Sequence, residues 1–129
     1  LPAEGLVAVH DGVRPLVSRT LIRRTFEVAE EMGAALPACP VTDSLRHLGE
    51  DDTNEAVDRA RYRAVQTPQT FDLERLHRAY EQPFSPQFTD DASVYEAAGL
   101  GAITLVEGEE TNIKLTTPRD LLLADLLLD

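Results

Sequence analysis

The sequence predicts an α/β fold, and three observations carry that expectation. Residues 6–9 and 34–41 are apolar runs of strand length. Between them Leu21, Ile22, Phe26, Ala29 and Met32 recur at helical spacing. A further apolar run follows at residues 103–106. Strand, helix, strand in that order is a βαβ unit, which favours a parallel sheet and a right-handed crossover. The 129 residues suffice for one domain of ordinary size.

Charge narrows the function classes. A formal net charge of −11 argues against a general nucleic-acid surface, because tracking phosphates needs clustered Lys and Arg. An anionic substrate must therefore be held locally, by few basic residues and a metal. Cys39 is the only cysteine, so no internal disulfide forms, which suits a reducing cytoplasm. Its apolar neighbours make it a core thiol rather than a nucleophile. No apolar run approaches the roughly 18 residues of a membrane span. Residues 121–128 are too few and include Asp125. Neither a span nor a leader peptide is expected.

The first strand ends abruptly in Asp11, Gly12 and Arg14. In an open α/β sheet, ligands bind beyond the carboxyl ends of strands. Asp11 is a hard oxygen ligand of the kind Mg²⁺ prefers, and Arg14 offers a planar fork matched to phosphate. Gly12 lets backbone approach a ligand closely. The helix that follows has Ser18 as its N-cap and Gly33 beyond its end. The second strand closes on Asp43 and Ser44. Residues 44–66 then turn polar, with alternating pieces at 45–48 and 62–66 around an acidic tip at 49–54. This predicts an extended hairpin arm. A lone hairpin is marginal in water, so the arm is expected to pack on a second copy of the chain.

Residues 67–71 read as a rigid connector around Pro68. Asp72 caps a short helix carrying Leu73, Leu76 and Tyr80 on one face. Residues 82–88 form a proline-containing loop. Thr89 reads as the N-cap of a helix ending at Gly99, with Asp90 and Asp91 divided between a capping role and a metal role. Gly99-Leu100-Gly101 fails as a dinucleotide fingerprint, because a strand and not a helix follows it. Residues 112–115 are extended and present Lys114, by residue type alone a surface lysine. Thr117, Pro118 and Asp120 supply the N-cap, N1 and N3 positions of a final helix. That helix is apolar on most sides and is expected to pack against the sheet.

Several stretches taken in order resemble one family over nearly the whole chain. They are residues 10–15 (His-Asp-Gly-Val-Arg-Pro), 40–44 (Pro-Val-Thr-Asp-Ser), 57–59 (Val-Asp-Arg), 66–71 (Gln-Thr-Pro-Gln-Thr-Phe), 89–93 (Thr-Asp-Asp-Ala-Ser), 106–108 (Val-Glu-Gly) and 112–118 (Asn-Ile-Lys-Leu-Thr-Thr-Pro). Together they are similar to the 2-C-methyl-D-erythritol 4-phosphate cytidylyltransferases of the non-mevalonate isoprenoid pathway. The resemblance implies a Rossmann-like nucleotidyltransferase sheet with a protruding β-arm for dimerisation. It implies CTP and a sugar-alcohol phosphate as reactants, Mg²⁺ as cofactor, a cytoplasmic homodimer, and no nucleic-acid or membrane partner. By position, Asp11 matches the acidic residue that helps hold Mg²⁺. Arg14, Ser44, Arg59, Thr67 and Thr89 match residues that grip the sugar phosphate, Arg59 from the arm across the dimer. Lys114 matches a lysine that stabilises charge on the reacting phosphates. Ser44 departs from an expected threonine but keeps the hydroxyl donor.

The resemblance also implies a glycine-rich, basic CTP loop, which is not among these residues. The chain thus resembles the C-terminal half of the family's single domain, and the 129 residues alone are expected to bind CTP poorly and not to turn over. Two rival readings are a ribitol-5-phosphate cytidylyltransferase, disfavoured by residues 89–93, and a non-catalytic dimerisation module. Dimerisation needs neither carboxylate nor cation at strand ends, so Asp11, Arg14, Thr67 and Lys114 speak against the module.

Overall fold

A computed structural model describes residues 4–128. Strand β1 (Leu6–Val9) leads through helix α1 (Arg19–Met32) to β2 (Ala34–Pro40), as the apolar pattern requires. Ser18 accepts the Leu21 N–H at the start of α1, and Gly33 ends it at φ +96°, a conformation an L side chain rarely adopts. Leu21, Thr25 and Ala29 form the buried stripe, one residue per turn. Met32, expected in that stripe, is exposed, and Thr25 lies inside instead. Its hydroxyl donates to the Ile22 carbonyl, so the Thr70 hydroxyl donates to Thr25 Oγ1 at 3.0 Å. This polar helix–strand contact is invisible to a hydrophobic count.

The sheet departs from a simple parallel βαβ. Strands β1 and β2 are not neighbours: β6 (Gln69–Asp72) lies between them, antiparallel to both. Residues 69–71 of the stretch read as a connector thus belong to an interior strand of the sheet. That strand is buried on both faces, so it shows no alternation, and its polar residues Gln69 and Thr70 are buried and hydrogen-bonded. Only β7 (Thr104–Glu107) pairs with β2 in parallel. Of β7 only Val106 is buried, although residues 103–106 form an apolar run. Cores form on both faces of the sheet. Leu21, Ala29, Ala35 and Val106 meet on the α1 side. Ala34, Phe71, Leu76 and Tyr95 meet on the other, under α2 (Leu73–Ala79) and α3 (Asp91–Ala97). Adjacent residues Ala34 and Ala35 serve opposite faces, as strand alternation dictates.

The hairpin differs from expectation in its second strand. Strand β3 (Arg46–Leu48) pairs with β4 (Asn54–Ala56), every residue of both being exposed. The piece expected to return along the arm is β5 (Arg63–Val65), and it pairs with β2 of the main sheet. The arm is therefore shorter than residues 44–66, because residues 63–65 take their ladder partners from β2, with Val65 opposite Ala38 and Ala64 opposite Cys39. At its tip Asp51 and Asp52 both have positive φ, 61° and 62°, the pattern of a type I′ turn.

Strands β5 and β6 together run antiparallel along one edge of β2. Val65 stands opposite Ala38 and the Gln66 N–H reaches the Pro37 carbonyl, yet Thr70 stands opposite Ala35. Residues 67–69 therefore face Leu36 alone, a bulge that throws Thr67 out of the ladder.

Helix α4 (Pro118–Leu127) starts as expected: Thr117 and Asp120 form a reciprocal capping box with Pro118 at N1. Its packing differs. Only Ala124 is buried, and Leu121, Leu122 and Leu126 are exposed, so the described residues provide no apolar surface to cover it.

Candidate active site

The site forms where β1 ends beside the bulge. The turn after β1 is closed by the Arg14 N–H donating to the Asp11 carbonyl at 3.0 Å. This brings the Arg14 guanidinium back over the Asp11 carboxylate, Nε to Oδ2 at 3.1 Å. Arg14 Nη1 reaches the Asn112 carbonyl at 2.7 Å. Two directions of the fork are thus fixed, while the Nη2 donors point to no acceptor among the described residues. The pair is half-buried, with side-chain exposures of 13% for Arg14 and 36% for Asp11.

Thr67 closes the other side. Its Oγ1 accepts the Asp11 N–H at 3.0 Å and lies 2.9 Å from His10 Nδ1. His10 Nε2 lies 2.8 Å from the Arg14 carbonyl, which only accepts, so Nε2 carries the proton. In the neutral ring Nδ1 then accepts from the Thr67 hydroxyl. His10 thus ties Thr67 to the Arg14 turn.

Lys114, the single lysine of the chain, is brought to this turn by its neighbour: the Leu115 N–H donates to the Val13 carbonyl at 2.8 Å. The Lys114 side chain makes no hydrogen bond or ion pair among the described residues and is exposed. The approach of this segment depends on Gly108. A Cβ there would lie 2.7 Å from Gln66 Oε1 and 2.8 Å from Cys39 Sγ. Burial, and then the carboxylate of Glu110, push the Cys39 thiol up. The side chain is only half-buried and belongs to neither core cluster, so it is not the core thiol expected from its apolar neighbours.

The other candidates sit apart. Ser44 is exposed at the root of the arm, where Arg59 Nη1 donates to the Thr42 carbonyl at 2.7 Å. Neither bonds to Asp11, Arg14 or Thr67 within the chain. Thr89 is not the N-cap of α3. Asp90 is, and Ser93 returns the bond. Asp90 Oδ1 accepts the Ser93 N–H at 2.8 Å, and Asp, a stronger N-cap than Thr, takes the position one residue after Thr89. Thr89 instead lines a cavity of about 390 Å³ with Tyr80, Phe84, Phe88 and Asp91. Gly12 has open space where a Cβ would sit and an ordinary φ, so within this chain no close approach requires glycine there.

Four residues that sequence reasoning did not single out assemble the site. Gln69, buried in β6, donates to Asp90 Oδ2 at 3.1 Å and accepts the Ala92 N–H at 3.1 Å, fixing the start of α3. Gln66 donates to the Glu109 carbonyl and accepts the Glu109 N–H. Asn112 donates to Gln66 Oε1 and to the Thr67 carbonyl. His10 is the fourth. The available signal was amide side chains flanking Pro68 in an otherwise charged region.

For Mg²⁺, the donor set fits a shared ion. No group of three or more His, Cys, Asp or Glu side chains is placed to hold a metal among the described residues. Asp11 nevertheless keeps Oδ1 out of any protein hydrogen bond, and Mg²⁺ characteristically takes one or two carboxylates plus substrate phosphates.

No helix of the described residues is long and apolar enough to cross a membrane. The family model for IspD, 2-C-methyl-D-erythritol 4-phosphate cytidylyltransferase, matches residues 2–129. The 2-C-methyl-D-erythritol 4-phosphate cytidylyltransferase of Porphyromonas gingivalis is 56% identical over 128 residues, 99% of this chain and 57% of that protein. Its counterpart from Bacillus licheniformis is 41% identical, over 98% of this chain and 55% of that protein. The chain thus spans little more than half the length of the curated relatives it matches. Among solved structures, the Thermus thermophilus enzyme of that name superposes with a TM-score of 0.80 at 41% identity, covering 95% of this chain and 61% of the other. The 4-diphosphocytidyl-2C-methyl-D-erythritol synthase of Anaerococcus prevotii gives 0.85 at 31% identity, over 95% and 58%. With the fold, the order of motifs and the sequence all in agreement, this chain belongs to the 2-C-methyl-D-erythritol 4-phosphate cytidylyltransferase family.

Proposed function

We propose that the full-length protein transfers the cytidylyl group of CTP to 2-C-methyl-D-erythritol 4-phosphate and releases pyrophosphate. The observation that carries this reading is the convergence of Asp11, Arg14 and Thr67 with the Lys114 segment on one ledge, in a chain of net charge −11 that is otherwise hostile to anions.

The chemistry is an in-line displacement. A phosphate oxygen of the sugar alcohol forms a bond to the α-phosphorus of CTP as the bond to the bridging oxygen of pyrophosphate breaks. The electron pair leaves with pyrophosphate, and no side-chain nucleophile is needed. Work falls on positioning and charge neutralisation. Arg14 offers its remaining donors to the sugar phosphate from a fork already oriented by Asp11 and Asn112. Thr67 offers its hydroxyl, and Ser44, Arg59 and Thr89 add donors. Arg59 stands beside the exposed β3–β4 hairpin, and we assign that arm to a homodimer contact carrying Arg59 into the neighbouring site. Lys114 supplies the mobile cation beside the reacting phosphates. Asp11 would hold Mg²⁺, and the chemistry an ion there would supply is Lewis-acid neutralisation of phosphate charge. The lone Cys39, without a disulfide partner, suits the cytoplasm.

Pyrophosphate release by the full-length protein, supplied with CTP, Mg²⁺ and methylerythritol phosphate, tests the reading. Ribitol 5-phosphate run in parallel is expected to be the poorer substrate, and equal or faster use of it would reassign the acceptor. The 129-residue chain alone is expected to release none. Lys114→Ala in the full-length enzyme is expected to lower kcat by about 10²–10³-fold, the scale of removing one transition-state donor. Unchanged turnover would remove Lys114 from the mechanism.

A further inference from the structure

We infer that Asn112 is a positioning residue that sets the spacing between the sugar-phosphate grip and Lys114. The inference rests on the function proposed above. Asn112 is wholly buried, yet both its side chain and its main chain are committed to residues of the site. Its Nδ2 donates to the Thr67 carbonyl at 2.9 Å and to Gln66 Oε1 at 3.2 Å. Its own carbonyl receives Arg14 Nη1 at 2.7 Å. Two residues later in the chain comes Lys114, and the next residue, Leu115, is bonded to Val13.

The orientation of this amide is dictated by its partners. Both groups facing Nδ2 are acceptors, so turning the amide over would set oxygen against oxygen at two contacts. Gln66 cannot adapt, because its Oε1 also accepts the Glu109 N–H while its Nε2 donates to the Glu109 carbonyl. The cost is seen at the far end: Asn112 Oδ1 is buried with no hydrogen-bond partner. A side chain chosen only for packing or stability would not be an amide with one end unsatisfied, since a buried unpaired acceptor is unfavourable. What the amide secures is the placement of Thr67, Arg14 and the lysine segment relative to one another. Asn112 touches no reactant and acts through these residues.

The test uses the full-length enzyme. Wild type is assayed first, and absence of cytidylyl transfer would remove the proposed function and this inference with it. Asn112→Ala, Asn112→Ser and the near-isosteric Asn112→Asp are then compared, with rates corrected for the folded fraction from thermal melts. A displacement of about 1 Å of the reacting groups costs on the order of 10²-fold. Asn112→Ala is therefore expected to lower kcat by roughly 10- to 100-fold and to raise KM for the sugar phosphate, while KM for CTP stays within about twofold. Asn112→Ser, which keeps a donor one bond short of Nδ2 and turned toward the Thr67 carbonyl, should recover part of both losses. Asn112→Asp, which presents oxygen to two acceptors, should recover neither although it keeps the shape. A role in folding alone predicts lower melting temperature with both KM values and the corrected kcat unchanged. That pattern in any variant that folds, or full activity in Asn112→Asp, would overturn the inference while leaving the proposed function intact.

Discussion

Replacing Arg14 by lysine keeps the charge and removes the fork, so it separates geometry from electrostatics. In the native site Nε and Nη1 address two acceptors in different directions, the Asp11 carboxylate and the Asn112 carbonyl. A lysine ammonium beside Asp11 retains most of the attraction but cannot also reach Asn112 along the second direction. Asn112 is fully buried, so its carbonyl is left without a donor, at a cost of about 1–3 kcal/mol. In a domain of about 150–250 residues each kcal/mol shifts Tm by about 2–4 °C, giving a drop of about 2–12 °C. The donors that the proposed function gives to phosphate also lose their direction, and a tenfold weaker hold on that group corresponds to about 1.4 kcal/mol. Circular dichroism melts of the full-length enzyme, with KM measured for both substrates, read the two effects separately. A Tm and a sugar-phosphate KM both matching wild type would refute the view that the fork, rather than its charge, organises this site.

Three further outcomes are expected. Asp52→Gly relieves a left-handed backbone at the hairpin tip, where type I′ turns favour Asp-Gly. Hydrogen exchange at the Gly49 and Thr53 amides should slow by a few-fold, and unchanged or faster exchange would argue against a strained tip. Burial, and then the hydrogen bond to Asp91, push the Tyr80 phenol up to about 12. Absorbance titration should show one of the three tyrosines ionising there, and the Tyr80 contribution to stability should be intact below pH 10 and lost between pH 10 and about 12. The Thr116 N–H, aided by Thr117, holds the Asp120 carboxyl below the usual range. Its support for the start of α4 is therefore present above the ordinary aspartate value and disappears as pH falls through the lowered one, which amide exchange at residues 116 and 117 follows in acid. Asp120→Asn should show the fast exchange at neutral pH.

The parts of this fold legible in sequence are those whose local signals act alone. Ser18, Gly33, Asp72 and the Thr117-Pro118-Asp120 start each satisfy backbone groups within one turn, and all stand where the pattern puts them. Strand β6 was illegible because polar side chains fill its buried positions and find their partners far away in the chain. Thr70 meets Thr25, and Gln69 meets Asp90 and Ala92. Pairing of β5 with β2 rather than β3 is likewise a tertiary choice between two acceptable hairpins. Of the candidate site, Asp11, Arg14, Thr67 and the Lys114 segment converge as their motif order suggests. Of the amides that join them, Gln66 and Gln69 flank Pro68, but Asn112 has no such setting, and a Gln or Asn in isolation reads as a solvated side chain.

The bulge between β5 and β6 has a consequence for how such a chain can diverge. Gln66, Thr67 and Gln69, almost adjacent where β5 passes into β6, each tether a different loop: residues 109–112, the turn at 10–14, and the start of α3. An added or lost residue within 66–69 would therefore shift all three loops at once, and repair would require three simultaneous changes. The hairpin at 46–56 answers to none of these tethers and can lengthen or shorten while Asp11, Arg14 and Thr67 keep their places.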